Sequence, residues 1–165
     1  MQKKNPCKQG KPESLFSSKT VGISNHSFVI EGQNWTEKLL LDSIFPTSKV
    51  EDGKRLYIPI ELTILQTGCE EITQEIRLEF FDSISPMPKD YLAQECAELV
   101  AKLFNELSTM DLNAIAFAEL GKAISMNIDQ FEYGTAVEIG SGFCLQIDKI
   151  HSSKSTLLTV IFKKV

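Results

Sequence analysis

The chain has 165 residues, 42% of them hydrophobic and 24% charged, with a net charge of −5. That length fits one domain that buries roughly 70% of the unfolded chain's surface on folding, and the composition excludes wholesale disorder and fibrous repeats. The longest apolar stretches, such as Leu157–Phe162, are too short to cross a bilayer and follow no secretory leader, so no membrane association and a cytoplasmic location are expected.

Residues 1–20 hold five lysines and one glutamate, a charge of +4 that leaves −9 for the remainder. They are rich in Ser, Gln, Gly and Pro with few apolar anchors, which predicts a flexible basic arm ahead of a single domain over residues 21–165. Lys3, Lys4, Lys8, Lys11 and Lys19 are not explained by packing and form the candidate interaction arm, lying along nucleic acid or on an acidic neighbour such as another copy of the chain, with a solubilising tail as the alternative reading. The acidic body repels phosphate backbones and argues against sequence-specific nucleic-acid binding.

A short strand is expected over His26–Glu31. Asn34 and Glu37 then have the spacing of a capping box, which predicts a helix from Trp35 to about Ile44, stopped before Pro46. From Leu56 the apolar residues alternate, Leu56, Ile58, Ile60, Leu62 and Ile64, and alternation resumes with Ile72, Ile76, Leu78 and Phe80. That pattern is a long antiparallel hairpin with one buried face. Pro59 has no amide donor, so its strand lies at an edge or is bulged there. Leu92, Cys96, Leu99, Leu103 and Leu107 mark a helix after the break at Ser85–Pro88, and a second helix through Ile115, Leu120 and Ile124 contains a costly Gly121. Strands over Phe131–Ile139, Phe143–Ile150 and Thr156–Lys163 close the chain as a meander. The resulting fold class is α+β, a mainly antiparallel sheet with a long hairpin and a C-terminal meander, packed by two to three helices.

The motifs that carry chemistry are few. Val137-Glu138-Ile139-Gly140-Ser141-Gly142 resembles the glycine-rich first motif of the Rossmann-like methyltransferases, but the 23 residues after it alternate like strands, so a hairpin turn is the favoured reading. Glu61, Glu75 and Glu79 fall on the solvated face of the hairpin, where nothing drives their pKa values apart, and are read as solubilising charges. Cys144 with His151, or Cys69 with His26, would supply a nucleophile and base only if the fold brought them together. Cys7, Cys69, Cys96 and Cys144 form no C-x-x-C pair, and Cys96 and Cys144 suit small core positions. No catalytic, cofactor or metal residues are therefore assigned, and the chain is expected not to be an enzyme.

The strands around Leu56–Leu65 and Ile72–Phe81, followed by the helix around Tyr91–Leu107, resemble in their order the tail-terminator and head-tail connector families of tailed phages. The resemblance covers about fifty residues, and the second helix and the C-terminal meander lie outside its pattern. It implies a non-enzymatic assembly subunit that forms a ring with copies of itself, touches neighbouring structural proteins, and resides in the virion if phage-encoded. The alternative is a small intracellular binding module, such as an acidic chaperone or immunity-type protein. An enzyme with a site assembled from scattered side chains ranks third.

Overall fold

The computed structural model describes residues 13–16, 22–32, 34–68, 73–81, 91–110, 114–140, 142–152 and 155–164. Seven strands form one antiparallel sheet: β1 (Ile23–Glu31), β2 (Asn34–Glu51), β3 (Lys54–Thr67), β4 (Thr73–Phe81), β5 (Val137–Gly140), β6 (Phe143–His151) and β7 (Ser155–Lys164). Between β4 and β5 come two helices, α1 (Ala93–Ser108) and α2 (Ala114–Met126), and a 3-10 turn at Ile128–Gln130. The strand order is β1-β2-β3-β4-β7-β6-β5, so the N-terminal four strands and the C-terminal meander meet at β4 and β7. The fold is α+β, as the segregated runs of strand and helix require.

Cross-strand register explains the core. Ile64, Ile76, Val160 and Ile147 lie in one row across β3, β4, β7 and β6, and Leu62, Leu78 and Leu158 lie in the next. All seven are at most 1% exposed. Because side chains alternate, every second residue of these strands faces the helices, which contribute Cys96, Ala97, Val100, Phe104, Leu107 and Ile124 to the same cluster. Gly121 sits where α2 crosses α1. A Cβ there would stand 3.0 Å from Asn105 Oδ1 and 3.3 Å from the Ala101 carbonyl oxygen, so the glycine that weakens the isolated helix permits the two backbones to approach.

Several expectations are corrected; the strand expected over Phe131–Ile139 begins only at Val137, after a turn at residues 133–134. The segment from Trp35 to Ile44 is strand rather than helix, because Trp35, Glu37, Leu39 and Leu41 alternate inward along β2 and outcompete the local capping signal. Asn34 Oδ1 accepts the amide of Gly68, 3.2 Å away, instead of capping a helix. Of residues 1–20, expected to form an arm, residues 13–16 are described. Phe16 is 2% exposed and packs on Phe117 of α2, whose ring meets Phe104 edge-on at 5.3 Å, so Phe16 belongs to the core, with Leu15 partly buried against it. Burying one phenylalanine stabilises by about 1.5–3 kcal/mol, which offsets part of the entropy of ordering the segment.

Pro59 resolves in favour of the bulge. β3 is the third of seven strands, not an edge, and between the pairs Leu41↔Ile60 and Phe45↔Ile58 the register jumps. Pro59 alone thus opposes residues 42–44 of β2, where the ladder is already broken.

Candidate functional site

The sheet presents two unlike faces. On the face away from the helices, Glu61 lies directly across from Glu79 and Leu65 across from Glu75. Each carboxylate has a partner: Lys38 Nζ is 2.9 Å from Glu61, Arg77 Nε donates to Glu75 at 2.8 Å, and Ser155 donates to Glu79 at 2.9 Å. Glu61 also raises the pKa of the Lys38 ammonium, through their hydrogen bond first and its charge second. These are exposed or half-exposed pairs with modest energies, as the reading of a solvated face requires. A shallow depression of about 370 Å³ opens beside Lys38 and Glu61, floored by Leu40, Pro59 and Phe81. Its two charges, Lys38 and Glu61, pair with one another.

The face toward the helices holds the one feature the composition did not announce. Glu37 occupies an inward position of β2, between Trp35 and Leu39, and is 0% exposed. A buried carboxylate requires donors to offset its lost hydration. Three are supplied: the Leu15 amide at 2.7 Å, the Ser14 hydroxyl, and His26 Nε2 at 2.7 Å. His26 reaches it because β1 is bulged. Between Ser24↔Leu40 and Ser27↔Lys38, Asn25 and His26 together oppose one residue of β2, with Asn25 at a positive φ of 52°. Such a bulge re-aims a side chain, and asparagine tolerates the left-handed conformation better than most residues.

Ser, His and Glu in mutual contact suggest a catalytic triad, but the geometry is wrong for one. In a triad the acid holds one imidazole nitrogen and leaves the other to accept the serine proton. Here Glu37 and Ser14 both approach Nε2, at 2.7 Å and 3.2 Å, and Ser14 also contacts Glu37 directly. Ser14 Oγ donates to Glu37 itself, and Glu37 occupies the same ring nitrogen that Ser14 approaches. The cluster is a clamp. It fastens the Ser14–Phe16 backbone across β1 and β2, and Phe16 inserts beside Phe117.

A second polar cluster pins the start of α1 to the opposite side of the sheet. The Tyr133 hydroxyl lies 2.7 Å from the Tyr91 carbonyl oxygen and 2.9 Å from Cys96 Sγ. Lys149 Nζ donates to the same carbonyl at 2.8 Å and stands 4.8 Å from the centre of the Tyr133 ring. Burial pushes the Cys96 thiol up, as it does the Tyr133 phenol, which favours the protonated thiol over the thiolate.

The remaining candidates do not converge. Cys144 and His151 lie seven residues apart on β6 and point to opposite faces, a separation of about 23 Å along a strand. His151 Nδ1 pairs with Thr156 Oγ1 at 2.9 Å. His26 is engaged by Glu37, and Cys69, its suggested partner, lies outside the described residues, as do Cys7, Lys3, Lys4, Lys8, Lys11 and Lys19. The glycine motif is a hairpin turn: Gly140 pairs with Phe143, both Gly140 and Gly142 have positive φ, and β6 follows where a cofactor-binding fold needs a helix. Among the described residues, no group of three or more His, Cys, Asp or Glu side chains is placed to hold a metal, and no helix is long and apolar enough to cross a membrane.

Compared with models of protein families, with curated proteins and with solved structures, the chain matches none.

Proposed function

We propose that the protein is a non-enzymatic assembly subunit that works by contact with copies of itself and with neighbouring proteins. The observation carrying this reading is the pair of sheet edges. β1 at one end is nine residues long and has β2 as its sole strand neighbour among the described residues, while β5, only four residues long, ends the other side. An unpaired edge is a template for a further strand, and β1, which has no second strand neighbour among the described residues, exposes Val29 and Ile30. Two different edges at opposite ends favour head-to-tail contact, which closes into a ring when the rotation between copies permits. The order of hairpin and helix that resembles tail-terminator and head-tail connector proteins agrees with such a ring.

The test is the mass of the full-length protein by light scattering after size exclusion at two salt concentrations. A closed oligomer of six or more copies is the expected result. A strict monomer or dimer at both concentrations would sink the ring and favour the alternative of a small module whose β1 edge receives another protein's strand.

A further inference from the structure

The β2–β3 hairpin outruns the rest of the sheet. β1 pairs with β2 only as far as Leu41 and β4 pairs with β3 only from Ile60, so beyond the pair Leu41↔Ile60 the hairpin has no further strand neighbour among the described residues. Its two strands continue together to Glu51 and Lys54 and close through Asp52 and Gly53, both at positive φ. From Ile60 to Lys54 this ribbon reaches about 20 Å. An isolated two-stranded ribbon is marginally stable in water, yet this one leaves Val50 58% and Tyr57 39% exposed. Val50 lies directly across from Arg55, and Tyr57 is two residues along the same strand, so these three share one face, while Glu51 and Lys54 pair on the other. Arginine and tyrosine are among the side chains enriched at the anchors of protein interfaces.

A complementary patch lies at the far edge of the sheet. Leu92, before α1, is 70% exposed, and Tyr133, whose hydroxyl reaches the carbonyl of Tyr91, is 36% exposed. Glu95 and Glu132 are exposed around them, and Lys149 is held by the same Tyr91 carbonyl. The Gly134 amide donates to the Ile147 carbonyl at 3.2 Å, which lays Glu132–Gly134 along β6 past the end of β5. We propose that the Val50–Arg55–Tyr57 face of one copy's ribbon docks on the Leu92–Tyr133 patch of the next copy, with Arg55 meeting Glu95 and Glu132.

The inference rests on the head-to-tail assembly reading. Within one chain the two surfaces do not cover each other, since Val50, Tyr57, Leu92 and Tyr133 are all exposed. In a head-to-tail contact β1 of one copy faces the β5–β6 edge of the next; the ribbon starts one strand inside the first edge and the patch lies along the second. Two to three strand spacings, about 10–15 Å, separate them, within the ribbon's reach. Both lie towards the same end of the sheet, because Lys149 shares a row with Leu62 and Leu39, two residues short of Leu41↔Ile60. β2 twice sets three residues against one of β3, opposite Pro59 and opposite Leu56, and such bulges bend a strand out of line. Charge selects the site as well. Copies at −5 repel one another in general, whereas Arg55 and the two glutamates attract, so association is directed to this pair of surfaces.

The experiment uses two full-length variants at exposed positions, Tyr57→Asp on the ribbon and Leu92→Asp on the patch, with folding checked by circular dichroism. Each alone is expected to lose the wild-type oligomer and run at the mass of one chain in light scattering. An equimolar mixture is expected at twice that mass and no more, because only one intact ribbon and one intact patch remain to meet. If Tyr57→Asp keeps the wild-type oligomer, or the mixture stays at the mass of one chain, the docking is overturned and the assembly reading stands. A wild type that is itself a monomer overturns both. Because either substitution can disturb folding, a second measurement leaves the sequence unaltered. Nitrogen-14 and nitrogen-15 chains are refolded together and joined with a zero-length carbodiimide, and mixed-isotope links from Lys54 to Glu95 or Glu132 are expected. An oligomer that yields no such link overturns the docking as well.

Discussion

Glutamate occurs on both faces of the same sheet, and the two faces handle it in opposite ways. Glu61 and Glu79, side by side on the open face, keep water and need one partner each. Glu37, on the covered face and fully buried, is surrounded by an amide, a hydroxyl and an imidazole, two of them delivered by a segment from outside the sheet. The contrast follows from desolvation: a solvated carboxylate is nearly indifferent to its neighbours, whereas a buried one recruits structure around itself. In this protein that recruitment fixes where Ser14–Phe16 lies.

The comparison breaks most easily at its foundation, the assignment of faces. Ile76→Asp places a carboxylate in the row Ile64–Ile76–Val160 with no donors, and the domain should lose its cooperative thermal transition. A natively folded variant by circular dichroism would mean that the register is wrong. Next in size is Phe16→Ala, expected to cost about 3–5 kcal/mol by urea denaturation; a loss under 1 kcal/mol would return residues 13–16 to a dispensable arm. His26→Ala removes one of three donors from Glu37 and should cost about 1–3 kcal/mol. Glu61→Gln on the open face should stay within about 1 kcal/mol of wild type and vary with salt. Equal costs for these last two would erase the distinction between the faces. The smallest effect is one of pH. Cys96 and Tyr133 hold their protons above their ordinary values of 9.0 and 10.0, both chiefly through burial. The unfolded chain releases those protons first, so the stabilisation is complete below pH 9 and declines as the pH rises past that value. Urea midpoints measured between pH 8 and pH 10.5 should fall less in Tyr133→Phe than in the wild type.

The parts of the fold legible in the sequence are those where one physical signal acts alone. The β3–β4 hairpin was visible because Ile60, Leu62 and Ile64 alternate without interruption, and α1 because its apolar residues recur at three and four. β2 was misread because Asn34 and Glu37 match a helix start and Leu39-Leu40-Leu41 has no period, so a local pattern stood in for a strand that only its neighbours define. The clamp was hidden for the same reason. A signal existed in the parity of Trp35, Glu37, Leu39 and Leu41, which puts a charge among inward positions, but it becomes readable only once the segment is a strand. Phe16 gave less warning still, as one ring in a polar stretch whose composition argues for disorder.

Pro59 has a consequence for fidelity. In a sheet whose strands alternate as evenly as β3, sliding the strand by two residues returns every apolar side chain to the covered face, so burial alone cannot distinguish the correct pairing from its nearest error. The missing amide can. Where β2 carries its extra residues opposite Pro59 a hydrogen bond is already forgone; shifted by two toward Leu40, the proline would face intact ladder and forfeit one more. A residue usually regarded as hostile to strands therefore acts as a proofreading mark, penalising misaligned pairings during folding that hydrophobic patterning would accept.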